Sequence, residues 1–335
     1  MEDGGRYEWW VIVFKVVYVI IDDEKLKYVA QLVLSLLSLQ HWMPELPVEI
    51  VTDAATYHEI TTGKLKQYFK DGVAFKVVPI PEIYDKKQKS RFLKTSLREI
   101  VEGDYLFLDT DTVVCRPFPV PVAKAELALA LDLNAYPQEH FRLDGMDYCY
   151  AQSGIQKPAL DCFYNSGVML VKDTEYTHQV YALWHSQWRM LVEKGFACLD
   201  QPPLHKVVQE HKLAIAILED VWNCQLACNP FPVELLDSAY IVHYFNDEDS
   251  LLDLPQFGTE DYEAKLREFI RAPKAHLKKI YAVDYERDKA YYRSSIYHVS
   301  HLLYERTPGL FKCLDKVAAA MYGIFHGVKS LVKKG

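Results

Sequence analysis

Strand-like and helix-like segments alternate from residue 9 to residue 109, and no other feature limits the fold as much. The run "WWVIVFKVVYVII" (9–21) is rich in β-branched and aromatic residues and reads as a first, central strand. "EKLKYVAQLVLSLLSLQHW" follows, with Val29, Leu32, Val33, Leu36 and Leu37 at helical spacing. Next come a strand at "PVEIVTD", a short helix at "HEITTGKLKQYF" and a strand at "AFKVVPI". A helix at "QKSRFLKTSLREIV", with Phe92, Leu93, Leu97 and Ile100 on one side, leads into a strand at "YLFLD". Such alternation predicts an α/β domain whose mainly parallel central sheet is flanked by helices.

With 335 residues, half of them apolar, the chain can bury a large core as one large domain or one domain with an appendage. A net charge of −8 argues against a dedicated nucleic-acid binder, so no nucleic acid is expected as partner. Acidic substrates would then need a local positive site or a bound metal. Seven scattered cysteines form no disulfide framework and point to a reducing, cytoplasmic setting. The first apolar run holds 13 residues with Lys15 inside it, short of the roughly 20 needed to cross a bilayer.

The strand "YLFLD" ends at Asp109, and Asp111 follows in "LDTDT". In open α/β sheets the ligand crevice lies beyond the carboxyl ends of the strands. Residues i and i+2 of an extended chain share a side, so both carboxylates are expected to face one ligand. Paired oxygens of this kind suit Mg²⁺ or Mn²⁺ with substrate phosphates completing the shell. A solvated turn is the plainer alternative for a bare D-x-D.

This segment resembles the D-x-D region of GT-A-fold, nucleotide-sugar-dependent glycosyltransferases, most nearly glycosyltransferase family eight, the group of glycogenin and the bacterial lipopolysaccharide galactosyltransferases. "LALALDLN" (127–134) resembles that family's strand ending in an active-site Asp, here Asp132. "CFYNSGVMLV" (162–171) resembles its F-N-S/A-G-V block, giving Asn165, Ser166 and Gly167, and "CLDQPPLH" (198–205) its D-Q element, giving Asp200 and Gln201. "VWNCQ" (221–225) resembles its W/F-N segment with Asn223, and "YIVHYF" (240–245) its metal-ligand histidine, His243. The resemblance spans residues 9–246 and draws its weight from the order of the blocks.

It implies a GT-A fold with Mn²⁺ (or Mg²⁺) held by Asp109, Asp111 and His243. It also implies a sugar nucleotide, UDP-linked, bound by Arg91, Lys94, Asp109, Thr110, Asn165, Ser166 and Asn223, with Asp200, Gln201 and Asp132 as the catalytic set. An imidazole nitrogen would favour Mn²⁺, although a histidine on so apolar a strand can equally be a core residue. Arg91 and Lys94, three apart on one helix face, can point together at a diphosphate or form an exposed basic face with "KKQK". Asn165 is expected to meet sugar hydroxyls from a turn opened by Gly167, or to be a turn residue only. Asp200 also reads as the N-cap of a helix through "QPPLHKVVQ". Asp22 and Tyr28 are candidate nucleotide contacts.

After His243 the family continues with a glycine and a lysine that grips the diphosphate; here "YFNDEDSLLDLP" has neither. The phosphate clamp is therefore expected from Arg91, Lys94 or the C-terminal region. Residues 1–250 read as the catalytic domain, 251–308 as a helical extension packed on it, and 309–335 as an amphipathic basic helix. In that helix Leu310, Leu314, Val317, Met321, Phe325, Val328 and Val332 recur at helical intervals beside Lys312, Lys316, Lys329, Lys333 and Lys334. Such a helix can lie on an anionic membrane or dock on its own domain. The expected activity is metal-dependent transfer of a sugar from a nucleoside diphosphate to a hydroxyl of a glycan, glycolipid or protein, with retention at the anomeric carbon. The alternatives are a catalytically inactive nucleotide-sugar-binding module and a sugar-nucleotide pyrophosphorylase.

Overall fold

A computed structural model of the chain describes residues 14–22, 26–69, 72–119, 125–137, 143–226, 235–245, 250, 252–277 and 295–332. The first part of the expected strand at 9–21 and the expected lysines at 333 and 334 lie outside these residues. So do the side chains of Phe325, Val328, Lys329 and Val332.

Among the described residues, seven strands form one sheet in the order β3-β2-β1-β4-β7-β6-β8. They are β1 (Lys15–Ile20), β2 (Val48–Thr52), β3 (Val73–Val77), β4 (Tyr105–Leu108), β6 (Leu127–Leu131), β7 (Tyr164–Val171) and β8 (Ala216–Ile217). β1 pairs in parallel with β2 and β4, as its unbroken apolar run requires of a strand covered on both faces. β7 runs antiparallel to β4 and β6, so the sheet is mixed, while the β1–β2, β1–β4, β2–β3 and β6–β8 pairings make it mostly parallel, as expected. A small second sheet, in the order β5-β10-β9, is built from β5 (Thr112–Val114), β9 (Cys224–Gln225) and β10 (Ile241–His243).

Helix α1 (Lys27–Trp42) buries Val29, Leu32, Val33 and Leu36 of the stripe its spacing predicts, while Leu37 is only partly buried and Leu39, not predicted, is buried. It also buries Ser35 and Ser38, because it sits between the two sheets. The Ser35 hydroxyl lies 3.0 Å from Tyr18 Oη of β1 and 2.9 Å from Thr112 Oγ1 of β5, and Ser38 Oγ accepts from Val114 N at 2.9 Å.

The helix expected at 88–101 is two helices, α3 (Lys86–Thr95) and α4 (Leu97–Ile100). Asp85 and Gln88 form a capping box that starts α3 earlier, and the Ser96 hydroxyl turns back on the Phe92 carbonyl at 2.7 Å where the helix breaks. α2 (Ala54–Thr62) likewise starts before the expected position, since Asp53 caps it through Thr56 N at 2.8 Å. α5 (Leu143–Gln152), α6 (Glu175–Glu193) and α7 (Gln201–His211) follow. Leu93, Leu97, Phe107, Met169, Trp184 and Leu204 meet in the core between α3, α4, α6, α7 and the sheet.

The chain divides into two compact units, residues 1–137 with 144–278, and residues 138–143 with 279–335. The first unit therefore runs beyond residue 250: α8 (Tyr262–Arg271) belongs to it and buries Leu266, Phe269 and Ile270. The second unit contains α9 (Ser295–Arg306) and α10 (Pro308–Val332). On α10, Leu310, Leu314, Val317, Met321 and Ile324 are exposed in one stripe, with Ile296, Val299 and Leu302 exposed on α9. No helix of the described residues is long and apolar enough to cross a membrane.

Candidate active site

Asp109 and Asp111 lie not on a strand but in the turn that carries the chain from β4 into β5. The turn is fixed on three sides. Asp109 N donates to Gly167 O at 2.7 Å, Thr112 Oγ1 to Asp109 O at 2.8 Å, and Tyr244 N to Asp111 O at 3.0 Å. The antiparallel pairing of β5 with β10 sets His243 opposite Thr112, directly beside the turn.

One ligand atom each from Asp109, Asp111 and His243 lie within 4.8 Å of one another. His243 Nε2 stands 3.3 Å from Asp111 Oδ1, and the Phe245 ring stacks on the imidazole at 4.2 Å. Buried His243 Nδ1 has no hydrogen-bond partner among the described residues. Two carboxylates and an imidazole with an orphaned nitrogen make a hard-to-borderline donor set that fits a divalent ion of the Mn²⁺ or Mg²⁺ kind. Burial pushes the Asp111 carboxyl up, but the neighbouring His243 outweighs it and holds Asp111 below its ordinary range. Burial likewise lowers His243, and the Asp111 charge overrides it to leave His243 raised.

Gly167 was expected in a turn, yet it stands inside β7. Its role is close approach: a Cβ there would meet His243 Cε1 at 2.3 Å and Nδ1 at 2.6 Å.

Arg91 and Lys94 both reach the site from α3, but toward carboxylates. Lys94 Nζ donates to Asp109 Oδ1 at 2.9 Å and Oδ2 at 3.0 Å, and lies 3.0 Å from Asp200 Oδ2. Its side chain is only 3 % exposed, so it is enclosed between the two acids. Arg91 Nε pairs with Asp200 Oδ1 at 3.1 Å while its side chain stays 30 % exposed on the cleft wall. Asp200 holds the N-cap position of α7 but makes no capping bond. Its carboxylate is taken by the two cations and by Ser166 Oγ at 2.8 Å, a stronger set of partners than a helix N–H. Burial raises Asp200, but Arg91 and Lys94 more than offset that and hold it far below the usual carboxylate range.

An amide cluster surrounds Asp132 at the end of β6. Asp132 Oδ1 accepts from Asn165 Nδ2 at 3.1 Å and from Gln201 Nε2 at 3.3 Å. Asn165 Oδ1 accepts from Gly167 N at 2.9 Å and Asn223 Nδ2 at 3.0 Å. Asn165 and Asn223 are buried; Asn165 bonds Asp132 directly and Asn223 bonds Asn165.

Three further residues shape the end of β6. Leu133 and Asn134 follow Asp132 with φ of 51° and 54°, a strained pair for non-glycine residues. Gln225 holds them: its Oε1 accepts from Leu133 N at 2.8 Å and its N–H donates to Asn134 Oδ1 at 2.8 Å. Their only sequence signal is membership in the blocks "LALALDLN" and "VWNCQ".

The three acidic-turn residues, with Thr110 between the aspartates, line a cleft of about 360 Å³ together with Arg91, Tyr28 and Gln31. Tyr28 is half-exposed at its rim, whereas Asp22 does not line it and its N–H donates to Thr56 Oγ1 at 3.0 Å. The cleft lies at the carboxyl end of β1, whose residues Val19 and Ile20 form its floor.

The fold and site define a mixed α/β protein with an acidic, histidine-completed turn at the mouth of a cleft. No protein-family model matches the sequence, and no curated protein matches it. Solved structures similar to it include mouse xyloside xylosyltransferase 1, at 16 % identity over 70 % of this chain and 98 % of that one, with a TM-score of 0.45. The galactosyltransferase LgtC in complex with donor and acceptor sugar analogues matches at 13 % identity over 76 % of this chain and 95 % of that one, with a TM-score of 0.48. The glycosyltransferase GlyE of Streptococcus pneumoniae TIGR4 matches at 16 % identity over 78 % of this chain and 64 % of that one, with a TM-score of 0.45. At this level of likeness the chemistry rests on the side chains of the site and not on its neighbours.

Proposed function

We propose that the chain is a metal-dependent glycosyltransferase that moves a sugar from a nucleoside diphosphate sugar, UDP-linked, to an acceptor hydroxyl. The observation that carries this reading is the convergence of Asp109, Asp111 and His243 at the mouth of a cleft lined by Arg91. A divalent ion held by those three residues, Mn²⁺ by preference for the imidazole, would neutralise charge on the leaving diphosphate.

Arg91 keeps a permanent positive charge at the cleft wall and donates to the diphosphate oxygens, a bidentate geometry suited to guanidinium. Lys94 acts one layer deeper, fixing Asp109 and Asp200 in place. Gln201 gives its amide hydrogens to Asp132 and to Tyr164 O, which leaves its carbonyl oxygen as the end of the amide not spent on those two bonds. In a retaining reaction that oxygen would serve beside the anomeric carbon, with Asp132 and Asp200 around the sugar. The acceptor is a glycan, glycolipid or protein hydroxyl. The exposed apolar stripe of α10, flanked by Lys312 and Lys316, supports contact with an anionic membrane surface that carries such acceptors.

Calorimetry of UDP binding with and without Mn²⁺ tests this reading. Wild type should bind UDP in a Mn²⁺-dependent manner and Asp111→Asn should not; equal affinities would sink it. One observation favours a second reading, a binding module without transfer. Lys94 already satisfies both oxygens of Asp109, so the acidic turn is partly neutralised from within. A donor that binds with neither hydrolysis nor transfer would select that reading.

A further inference from the structure

His205 lies outside the acidic turn and the Asp132 cluster, yet it touches the backbone that supports both. On the β6 side of β7, Asp132 N donates to Phe163 O at 2.9 Å, which makes Asp132 and Phe163 a hydrogen-bonded pair of the antiparallel ladder. Tyr164, one residue on and opposite Leu131, therefore turns its own N–H and C=O away from β6. On that far side β4 has already ended: its last ladder contact is Asp109 N to Gly167 O. The Tyr164 peptide groups are left at an open edge, and buried backbone groups need partners.

Helix α7 supplies them. Gln201 and His205 are one turn apart on its inner face, and both reach Tyr164. Gln201 Nε2 donates to Tyr164 O at 3.2 Å; His205 Nε2 stands 2.9 Å from Tyr164 N and 3.0 Å from Tyr164 O. His205 Nδ1 lies 2.6 Å from Tyr150 Oη on α5. His205 is buried against Phe163 and Tyr164. Burial lowers it to about 4, so near neutral pH the ring has one donor and one acceptor.

A backbone N–H can only donate. If Nε2 accepts from Tyr164 N–H, the proton sits on Nδ1 and goes to Tyr150 Oη, and Tyr164 O is left wholly to Gln201. If instead Nε2 carried the proton, it would compete with Gln201 for that carbonyl and orphan the Tyr164 N–H.

We propose that His205 is a positioning residue: in its Nδ1–H tautomer it completes the open edge of β7 and reserves Tyr164 O for Gln201, which fixes the direction of the Gln201 amide. This deepens the glycosyltransferase reading and rests on it for the role of Gln201. The amide hydrogens of Gln201 are then committed to Asp132 and Tyr164, and its carbonyl oxygen is held in one orientation.

Two measurements test the proposal. Nitrogen-15 spectra of the full chain carrying labelled histidine, with the signal assigned by its loss in His205→Gln, should show Nδ1 protonated and Nε2 bare at pH 7. The opposite tautomer overturns the proposal whatever the enzyme does. Second, His205→Phe, which fills the space without hydrogen bonds, should lower kcat about tenfold or more while UDP affinity stays within about twofold, and His205→Gln should recover most of the loss. Should His205→Phe not fold, Tyr150→Phe removes the Nδ1 partner alone and should still lower kcat with UDP affinity unchanged. Unchanged kcat in the folded variants, or UDP affinity falling in parallel, overturns the positioning role. If Gln201→Ala leaves transfer intact, the reading of Gln201 has failed while the tautomer result still stands or falls by itself.

Discussion

Lys94 Nζ stands 2.9 Å from Asp109 and 3.0 Å from Asp200, so one enclosed ammonium ties the acidic turn after β4 to the start of α7. Removing it takes a cation from two acids at once and leaves Asp200 with Arg91 and Ser166 alone among the described residues. Lys94→Met is expected to destabilise the fold by about 3–5 kcal/mol, the usual cost of leaving a buried charge uncompensated. The check is a urea titration in which the midpoint falls and the slope does not change. Arg91→Met, at a partly exposed position, should lose far less stability and more UDP affinity.

Gly167→Ala should leave β7 formed, because its backbone is ordinary strand, and displace the His243 ring that now occupies the space of a Cβ. Mn²⁺ affinity is expected to drop about tenfold or more, in line with the loss of one ligand's orientation. Calorimetry with Mn²⁺ alone reads this directly, and unchanged affinity would remove His243 from the ligand set.

Burial lowers both His185 and His205 to about 4, against an ordinary value near 6.5. Between those values the unfolded chain binds protons that the folded chain refuses, so stability is full above about pH 6.5 and declines as the pH falls toward 4. For fully enclosed His205 the loss is on the order of 2–3 kcal/mol by pH 4.5. Urea midpoints at pH 7.5 and 4.5 should differ accordingly, and His205→Gln should narrow the gap. A gap that His205→Gln leaves unaltered would mean that His205 is not the group responsible.

The apolar stripe on α10 predicts co-sedimentation with anionic vesicles at low salt and release at high salt. Val317→Asp with Met321→Asp should abolish it and leave transfer to a soluble acceptor unchanged. If the full chain ignores anionic vesicles at low salt, the surface reading of α10 fails.

Local patterns carried much of this far. Among the described residues the apolar strand runs, and four of the five expected stripe residues of α1, follow from period and propensity. Helix boundaries are less legible, because Asp53, Asp85 and Ser96 set them through local side-chain bonds that a period does not register. The pairing of Asp109, Asp111 and His243 was visible only as an ordered set of short blocks, since β5 and β10 lie more than a hundred residues apart in the chain. What the sequence could not announce is how those residues are spent. Lys94 and Asn165 are polar residues next to the right motifs, and only the packing turns Lys94 toward Asp109 and Asp200 and Asn165 toward Asp132. Gln225 escaped notice because its partners, Leu131, Leu133 and Asn134, are distant in sequence.

The acidic turn is also the seam between the seven-stranded and the three-stranded sheet, since β4 belongs to one and β5 to the other. Anything that grips Asp109 and Asp111 together with His243 therefore clasps two separately hydrogen-bonded layers, and the local opening of either is opposed by the other. Slowed amide exchange on ligand binding should thus appear at Thr112–Val114 and Ile241–His243 as well as in β4, turning a contact of a few side chains into a shared breathing rate across both layers.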